Sequence, residues 1–191
     1  SPESLGANLL SYRDENGDGF FALLIAPSLS AATDEVIAKD VILVLDVSGS
    51  MEGEKLEQAK EALIYVLRHL NDGDHYNIIA FSSNVTTYAQ TMQPAGALRE
   101  AERFIGELRA VGNTDINGAL LEAMAVADEE RPTIVIFLTD GLPTKGVVKT
   151  DLILNNVRQA TPSSVRLFAF GVGDDVDTFL LDTLARELRG V

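Results

Sequence analysis

Asp46-Val47-Ser48-Gly49-Ser50 places three oxygen-bearing side chains at i, i+2 and i+4, directly after the apolar run Val41-Ile42-Leu43-Val44-Leu45. In an extended segment alternate side chains point the same way, so Asp46, Ser48 and Ser50 can converge on one point. Three hard oxygen donors suit a cation that takes oxygen ligands, such as magnesium or calcium. Ser and Asp at such positions also cap helices and close turns. The choice between the two depends on where the rest of the chain brings further donors.

The elements that must position this loop follow a regular alternation. After the run at 41–45, Leu56, Ala59, Leu63, Val66, Leu67 and Leu70 recur at helical spacing, which predicts a helix from about Gly53 to Leu70. Tyr76–Ser82 reads as a strand and Val85–Ala89 as a short one. The link between those two is too short for a crossover helix, so they should pair antiparallel. Helices are expected over Ala95–Arg109, from Ile116 to Ala127, over Val148–Ala160 and over Asp175–Leu188, with strands at Thr133–Thr139 and Val165–Gly171. This order predicts an α/β fold: a three-layer, doubly wound, Rossmann-like and mostly parallel sheet, with helices on both faces and one antiparallel edge strand. Ligands of such sheets bind outside the carboxyl ends of the strands. Asp46 and Asp140 each lie directly after a strand, and Thr114-Asp115 opens a helix near the same edge. Three distant segments thus carry oxygen donors to one side of the sheet.

Residues 1–38 have a different character from 39–191. Phe20–Ile25 reads as a strand ended by Pro27. Before it, Asp14, Asn16, Asp18 and Gly19 match the opening of a calcium-binding EF-hand loop, but Ile25 stands where that loop needs a bidentate Glu. Asn16-Gly17 is a hairpin turn signal, and the hairpin is the better reading. Ser28–Lys39 reads as a linker.

Composition removes several classes of function. The chain is 46% hydrophobic and 23% charged, as expected for a globular protein. A net charge of -14 repels nucleic acid and anionic membrane surfaces and suits a bound cation. With no cysteine there is no disulfide, thiolate metal site or cysteine nucleophile. His69 and His75 are the only histidines, which leaves zinc sites and His-based triads poorly supported. No apolar run approaches the roughly 20 residues that span a bilayer, so direct membrane insertion is not expected. Ser1-Pro2-Glu3-Ser4 does not read as the start of a signal peptide.

Asp46-Val47-Ser48-Gly49-Ser50, Gly112-Asn113-Thr114-Asp115 and Leu138-Thr139-Asp140-Gly141, in this order and with these flanking strands, closely resemble the von Willebrand factor type A domain over roughly residues 40–188. Leu56–Leu63 and Gly73–Ser82 look more specifically like the A domain of inter-alpha-trypsin inhibitor heavy chains and their bacterial relatives. The resemblance implies a metal-ion-dependent adhesion site whose ligands would be Asp46, Ser48, Ser50, Thr114 and Asp140. It implies Mg2+ as the cofactor, with Mn2+ or Ca2+ as substitutes. It also implies a protein partner that presents an Asp or Glu to the metal, and a secreted or cell-surface setting. Residues 1–38 would then be a hairpin and linker, the tail of a preceding inter-alpha-trypsin-type domain.

The chemistry is consistent with that implication. Two carboxylates leave a divalent ion with Lewis acidity, and the N-terminus of the helix near Gly53 favours an incoming anion. Met51 and Glu52 are expected at the rim, touching the partner. Asp115 is read either as a group that orients a serine or a water, or as an acid stabilised by the first turn of its helix. An assembly role, in which the domain docks on an ATPase or on another part of its own chain, would use the same metal chemistry. An enzyme is not expected. A haloacid-dehalogenase-type phosphotransferase needs a second Asp where Ser48 stands, and no Gly-x-Ser-x-Gly elbow exists. Gly171-Val172-Gly173 lacks the third glycine of a dinucleotide fingerprint, and Gly49 and Gly53 miss the phosphate-loop spacing.

Overall fold

Val41–Leu45 is apolar throughout because it runs through the middle of a sheet covered on both faces. A computed structural model describes residues 5–13, 19–27, 37–96, 98–173 and 176–190 of the chain. They fall into two units, Ser1–Val36 and Ile37–Val191.

In the first unit, β1 (Leu5–Arg13) pairs antiparallel with β2 (Gly19–Pro27), from Leu5 opposite Pro27 to Arg13 opposite Gly19. Asn16-Gly17 and the linker at 28–36 lie outside the described residues.

The second unit follows the alternation read from the sequence. Its elements are β3 (Asp40–Asp46), α1 (Glu54–Arg68), β4 (His75–Phe81), β5 (Val85–Thr87), β6 (Gln93–Pro94), α2 (Leu98–Glu107), α3 (Ile116–Val126), β7 (Thr133–Thr139), α4 (Thr150–Ala160), β8 (Val165–Gly171) and α5 (Thr178–Glu187). The sheet order is β5-β4-β3-β7-β8. β4, β3, β7 and β8 are parallel neighbours, and β5 is the antiparallel edge strand, with Phe81 opposite Val85. The expected fold class is therefore the observed one.

Several bounds shift by one to three residues: α1 ends at Arg68, β5 at Thr87 and α2 at Glu107, and α4 begins at Thr150. β6 is a second antiparallel pairing, with His75 opposite Pro94 and Tyr76 opposite Gln93. Two residues carry no alternation to read, and Pro94 can sit there because an edge position needs no N–H from it. α2 begins at Leu98 rather than Ala95, and the Ala95 N–H donates to the Asp74 carbonyl at 3.0 Å. α5 begins at Thr178, where the Asp177 side chain accepts the Leu180 N–H at 2.9 Å and caps the helix.

Helices divide between the two faces of the sheet. On one, Ile42, Val44, Ile79, Phe81, Val135 and Phe137 pack with α3, α4 and α5. On the other, Leu43, Leu45, Ile78 and Ala80 pack with Leu56, Ala59, Leu63 and Leu67 of α1 and with Ala101 and Ile105 of α2. Each fully buried leucine of α1 is worth roughly 1.5–3 kcal/mol. Beyond α1, an apolar groove of about 360 Å³ opens over β7 and β8, lined among others by Val66, Ile136, Leu138, Phe170 and Lys55. Among the described residues no helix is long and apolar enough to cross a membrane.

The chain leaves β3 towards β4 on one side and later returns to add β7 on the other. The carboxyl ends of β3 and β7 therefore flank a topological switch point, where the diverging connections leave a crevice. Asp46 ends β3, and Asp140 immediately follows β7.

The opposite edge of the sheet is tied by Asp74. Its carboxylate accepts the Lys39 N–H at 3.0 Å, the Lys39 ammonium at 2.8 Å and the Asn71 N–H at 2.9 Å. Burial pushes the Asp74 carboxyl up, but these hydrogen bonds and the Lys39 charge outweigh it, and the group titrates below its ordinary value. Ionised Asp74 thus adds stability at neutral pH, and that contribution is lost as the pH falls below the unfolded-state value of about 3.9. Asp74→Ala should cost about 2–4 kcal/mol in urea denaturation at pH 7, with a smaller difference from the parent at pH 3. An equal loss at both pH values would show that the carboxylate's charge is not what matters.

Candidate metal centre

Ionised Asp46 and Asp140 cannot lie beside one another in a sheet edge without donors to neutralise them. The fold supplies those donors from the loop after β3, the first turn of α1 and the end of β7. β3 delivers Asp46, whose residue is 0% exposed. Its Oδ1 accepts the Ser48 N–H at 2.8 Å, and its Oδ2 accepts the Thr139 hydroxyl at 2.6 Å. A carboxylate offers about four lone-pair directions, so each oxygen keeps a site for another partner.

After Asp46 the chain turns through a single 3-10 turn, Gly49–Met51, before α1. Two backbone bonds pin this loop: Gly49 N–H to the Gly112 carbonyl at 3.0 Å, and Val111 N–H to the Val47 carbonyl at 2.8 Å. The Ser50 hydroxyl donates to Asp140 Oδ1 at 2.7 Å. The Ser48 and Ser50 hydroxyls lie 3.1 Å apart. Asp140, 1% exposed, also takes the Lys55 ammonium on Oδ2 at 2.8 Å. A continuous hydrogen-bonded chain therefore runs from Asp46 through Ser48 and Ser50 to Asp140 and Lys55.

Thr114 lies in the α2–α3 connection. The same connection supplies the Gly112 carbonyl that holds Gly49. Gly112 has φ +86°, and a Cβ there would lie 2.7 Å from the Ser83 hydroxyl oxygen, so only glycine fits. Thr114 is buried. Its N–H donates to Thr144 Oγ1 at 2.9 Å, and its carbonyl accepts the N–H groups of Thr144 and Lys145 at 3.0 and 3.2 Å. Thr114 thus joins the Gly49 loop to the segment that follows Asp140.

The flanking residues divide. Met51 is 0% exposed and packs in the core with Leu56 and Leu45, so the expectation of Met51 on the rim is corrected. The 3-10 turn folds its side chain inward beneath the loop, where burying an unbranched thioether is favourable. Glu52 is exposed on the surface. Asp115 caps α3, its Oδ1 accepting the Gly118 N–H at 2.9 Å.

Thr139, Lys55 and Thr144 were not among the residues read from the sequence. Thr139 could have been found, since it is the last residue of a buried strand and stands next to Asp140. The other two reach the site through loop and helix geometry that no short motif carries.

Electrostatics favour a cation. Burial pushes the Asp46 carboxyl above its ordinary value, against the pull of the Thr139 and Ser48 hydrogen bonds, and repulsion from Asp140 adds to the rise. Among the described residues no three His, Cys, Asp or Glu side chains gather as a metal cluster, so an ion here would lean on hydroxyls. The two carboxylates and the hydroxyls of Ser48 and Ser50 offer hard oxygen donors of the kind that magnesium, manganese or calcium takes.

Thr139→Val keeps the shape of the residue but leaves Asp46 Oδ2 without its donor. It should lower stability by about 1–3 kcal/mol in chemical denaturation, while Thr139→Ser stays close to the parent. Equal losses in both variants would assign the effect to packing instead.

Comparison with known proteins agrees with this architecture. The sequence profile of the von Willebrand factor type A domain matches residues 39–191. Human inter-alpha-trypsin inhibitor heavy chain H4 is 37% identical over 185 residues, a match covering 91% of this chain and 20% of the relative, so the chain spans about a fifth of that protein's length. Among solved structures, a von Willebrand factor type A protein from Catenulispora acidiphila superposes with a TM-score of 0.74 at 21% identity, covering 98% of this chain and 42% of that one. Proximal thread matrix protein 1 from the mussel byssus, solved with a zinc-occupied MIDAS motif, superposes with a TM-score of 0.63 at 19% identity, covering 78% of this chain and 41% of its own. With the profile matched over residues 39–191 and the doubly wound sheet in place, this chain belongs to the von Willebrand factor type A domain family.

Proposed function

We propose that the loops at the carboxyl edge hold a divalent cation through Asp46, Ser48, Ser50, Thr114 and Asp140, and that this ion binds a carboxylate presented by a partner protein. One observation carries the reading. Two buried aspartates, from neighbouring strands far apart in sequence, are linked through the Ser48 N–H and the Ser48 and Ser50 hydroxyls at the switch point of the sheet. A helix-capping role for the serines would not require either aspartate. The oxygen-only donor set favours Mg2+, with Mn2+ or Ca2+ able to replace it. The ion would act as a Lewis acid that accepts an acidic side chain, and exposed Glu52 would lie on the rim that the partner meets.

The site is read as a binding module rather than an enzyme. His75 opens β4 at the opposite end of its strand and lies 3.4 Å from Asp40, while His69 stacks on Tyr65 beyond the end of α1. Neither reaches the serines to act as a base. Family membership and the likeness to an inter-alpha-trypsin inhibitor heavy chain support the same reading. The hairpin of the first unit is read as the tail of an inter-alpha-trypsin-type domain. The likeness to the heavy chain supports this, because it covers more of the chain than the profile match over 39–191.

Saturating Mg2+ or Mn2+ should raise the melting temperature over that in chelator, by mass action. Asp46→Ala should abolish the shift, whatever it does to the metal-free melting point. An unchanged shift in Asp46→Ala, or none in the parent, would sink the assignment. Capture of a partner through an acidic side chain should likewise be lost in chelator. Deleting residues 1–38 should leave the metal-induced shift intact, and its loss would tie the hairpin to the site.

A further inference from the structure

We propose that Lys55 is a tethered cation that competes with the divalent ion for Asp140, and so sets how tightly this site holds its metal. The inference rests on the metal-site reading above. Lys55 is the second residue of α1, in the first helical turn. The helix dipole places partial positive charge there, so a lysine is disfavoured and acids such as its neighbours Glu54 and Glu57 are preferred. The side chain nevertheless turns to the site, and its ammonium lies 2.8 Å from Asp140 Oδ2. The Asp140 side chain is 0% exposed, whereas that of Lys55 is 40% exposed. A carboxylate that deeply buried needs a charge beside it, and Lys55 supplies one from a flexible stem.

A divalent ion drawing on Asp140 would bring a second positive charge against the ammonium. The two cations share one carboxylate and repel, so filling the site either expels Lys55 or is weakened by it. Expulsion needs no backbone movement. The stem of Lys55 borders the open groove over β7 and β8, and its head lies against Gly173, where a Cβ would come within 3.4 Å of the ammonium. Lys55 is thus a positioning residue for Asp140, holding it in place before the metal arrives and lowering affinity once it does.

Lys55→Gln keeps the stem and removes the charge. Mn2+ titrated into the chain and followed by electron paramagnetic resonance, with Mg2+ by calorimetry, gives the affinity directly. Lys55→Gln should bind Mn2+ about tenfold or more tightly than the parent. Lys55→Arg, which keeps the charge, should bind within about twofold of it. Without metal Lys55→Gln should melt below the parent, and saturating Mn2+ should close most of that gap. A merely structural lysine would lower both melting points alike and leave affinity unchanged or weaker. Unchanged or weaker binding in Lys55→Gln, or equally tight binding in Lys55→Arg, would overturn the proposal while leaving the metal site standing. Absence of Mn2+ binding in both the parent and Lys55→Gln would overturn the proposal and the metal-site reading together.

Discussion

Burial of two carboxylates at one point of the sheet is the constraint on which this fold is arranged. Asp46 and Asp140 end or follow strands that are neighbours in space and far apart in sequence. Ionised carboxylates so placed are costly unless donors surround them. Thr139, Ser48, Ser50 and Lys55 are those donors, from the end of β7, the loop after β3 and the first turn of α1. The loops must therefore be held to within hydrogen-bond tolerance. The backbone bonds from Val47 and Gly49 to the segment at 111–112 do that holding.

The rest of the architecture serves the same end. A mostly parallel sheet needs crossover helices, and reversing the winding direction next to β3 opens the crevice where the loops meet. The apolar strands give the edge its rigidity. Met51, turned into the core, anchors the loop from below, so the residue after Ser50 contributes to stiffness instead of contact. A site that must present hydroxyls and carboxylates in fixed directions gains from such support.

Family resemblance and physical reading meet at this edge, and they answer different questions. Membership in the von Willebrand factor type A family says which fold the chain adopts. The hydrogen-bonded path from Asp46 to Lys55 says what the residues do for one another in this chain. Solved structures near 20% identity add to the first and leave the second to the side chains themselves.

Sequence alone determined the strand–helix order, the doubly wound class and the antiparallel edge. Each rests on local periodicity, on loop lengths and on apolar runs that tolerate only one kind of burial. Thr133–Thr139 and Val165–Gly171 were legible to the residue for that reason. The Asp46–Ser50 donors stood out by residue type, but the extended-chain alternation read for them stops at Ser48, because Gly49–Met51 is a 3-10 turn that aims Ser50 instead. Tertiary structure alone decided the inward turn of Met51, the bond from Thr139 to Asp46, the place of Thr114 beside the Gly49 loop, the short pairing at Gln93–Pro94 and the reach of Lys55 to Asp140. These depend on contacts between residues distant in the chain, or on the rotation of one short turn. No local pattern encodes them, since the free energy that selects them exists only once the sheet has brought the segments together.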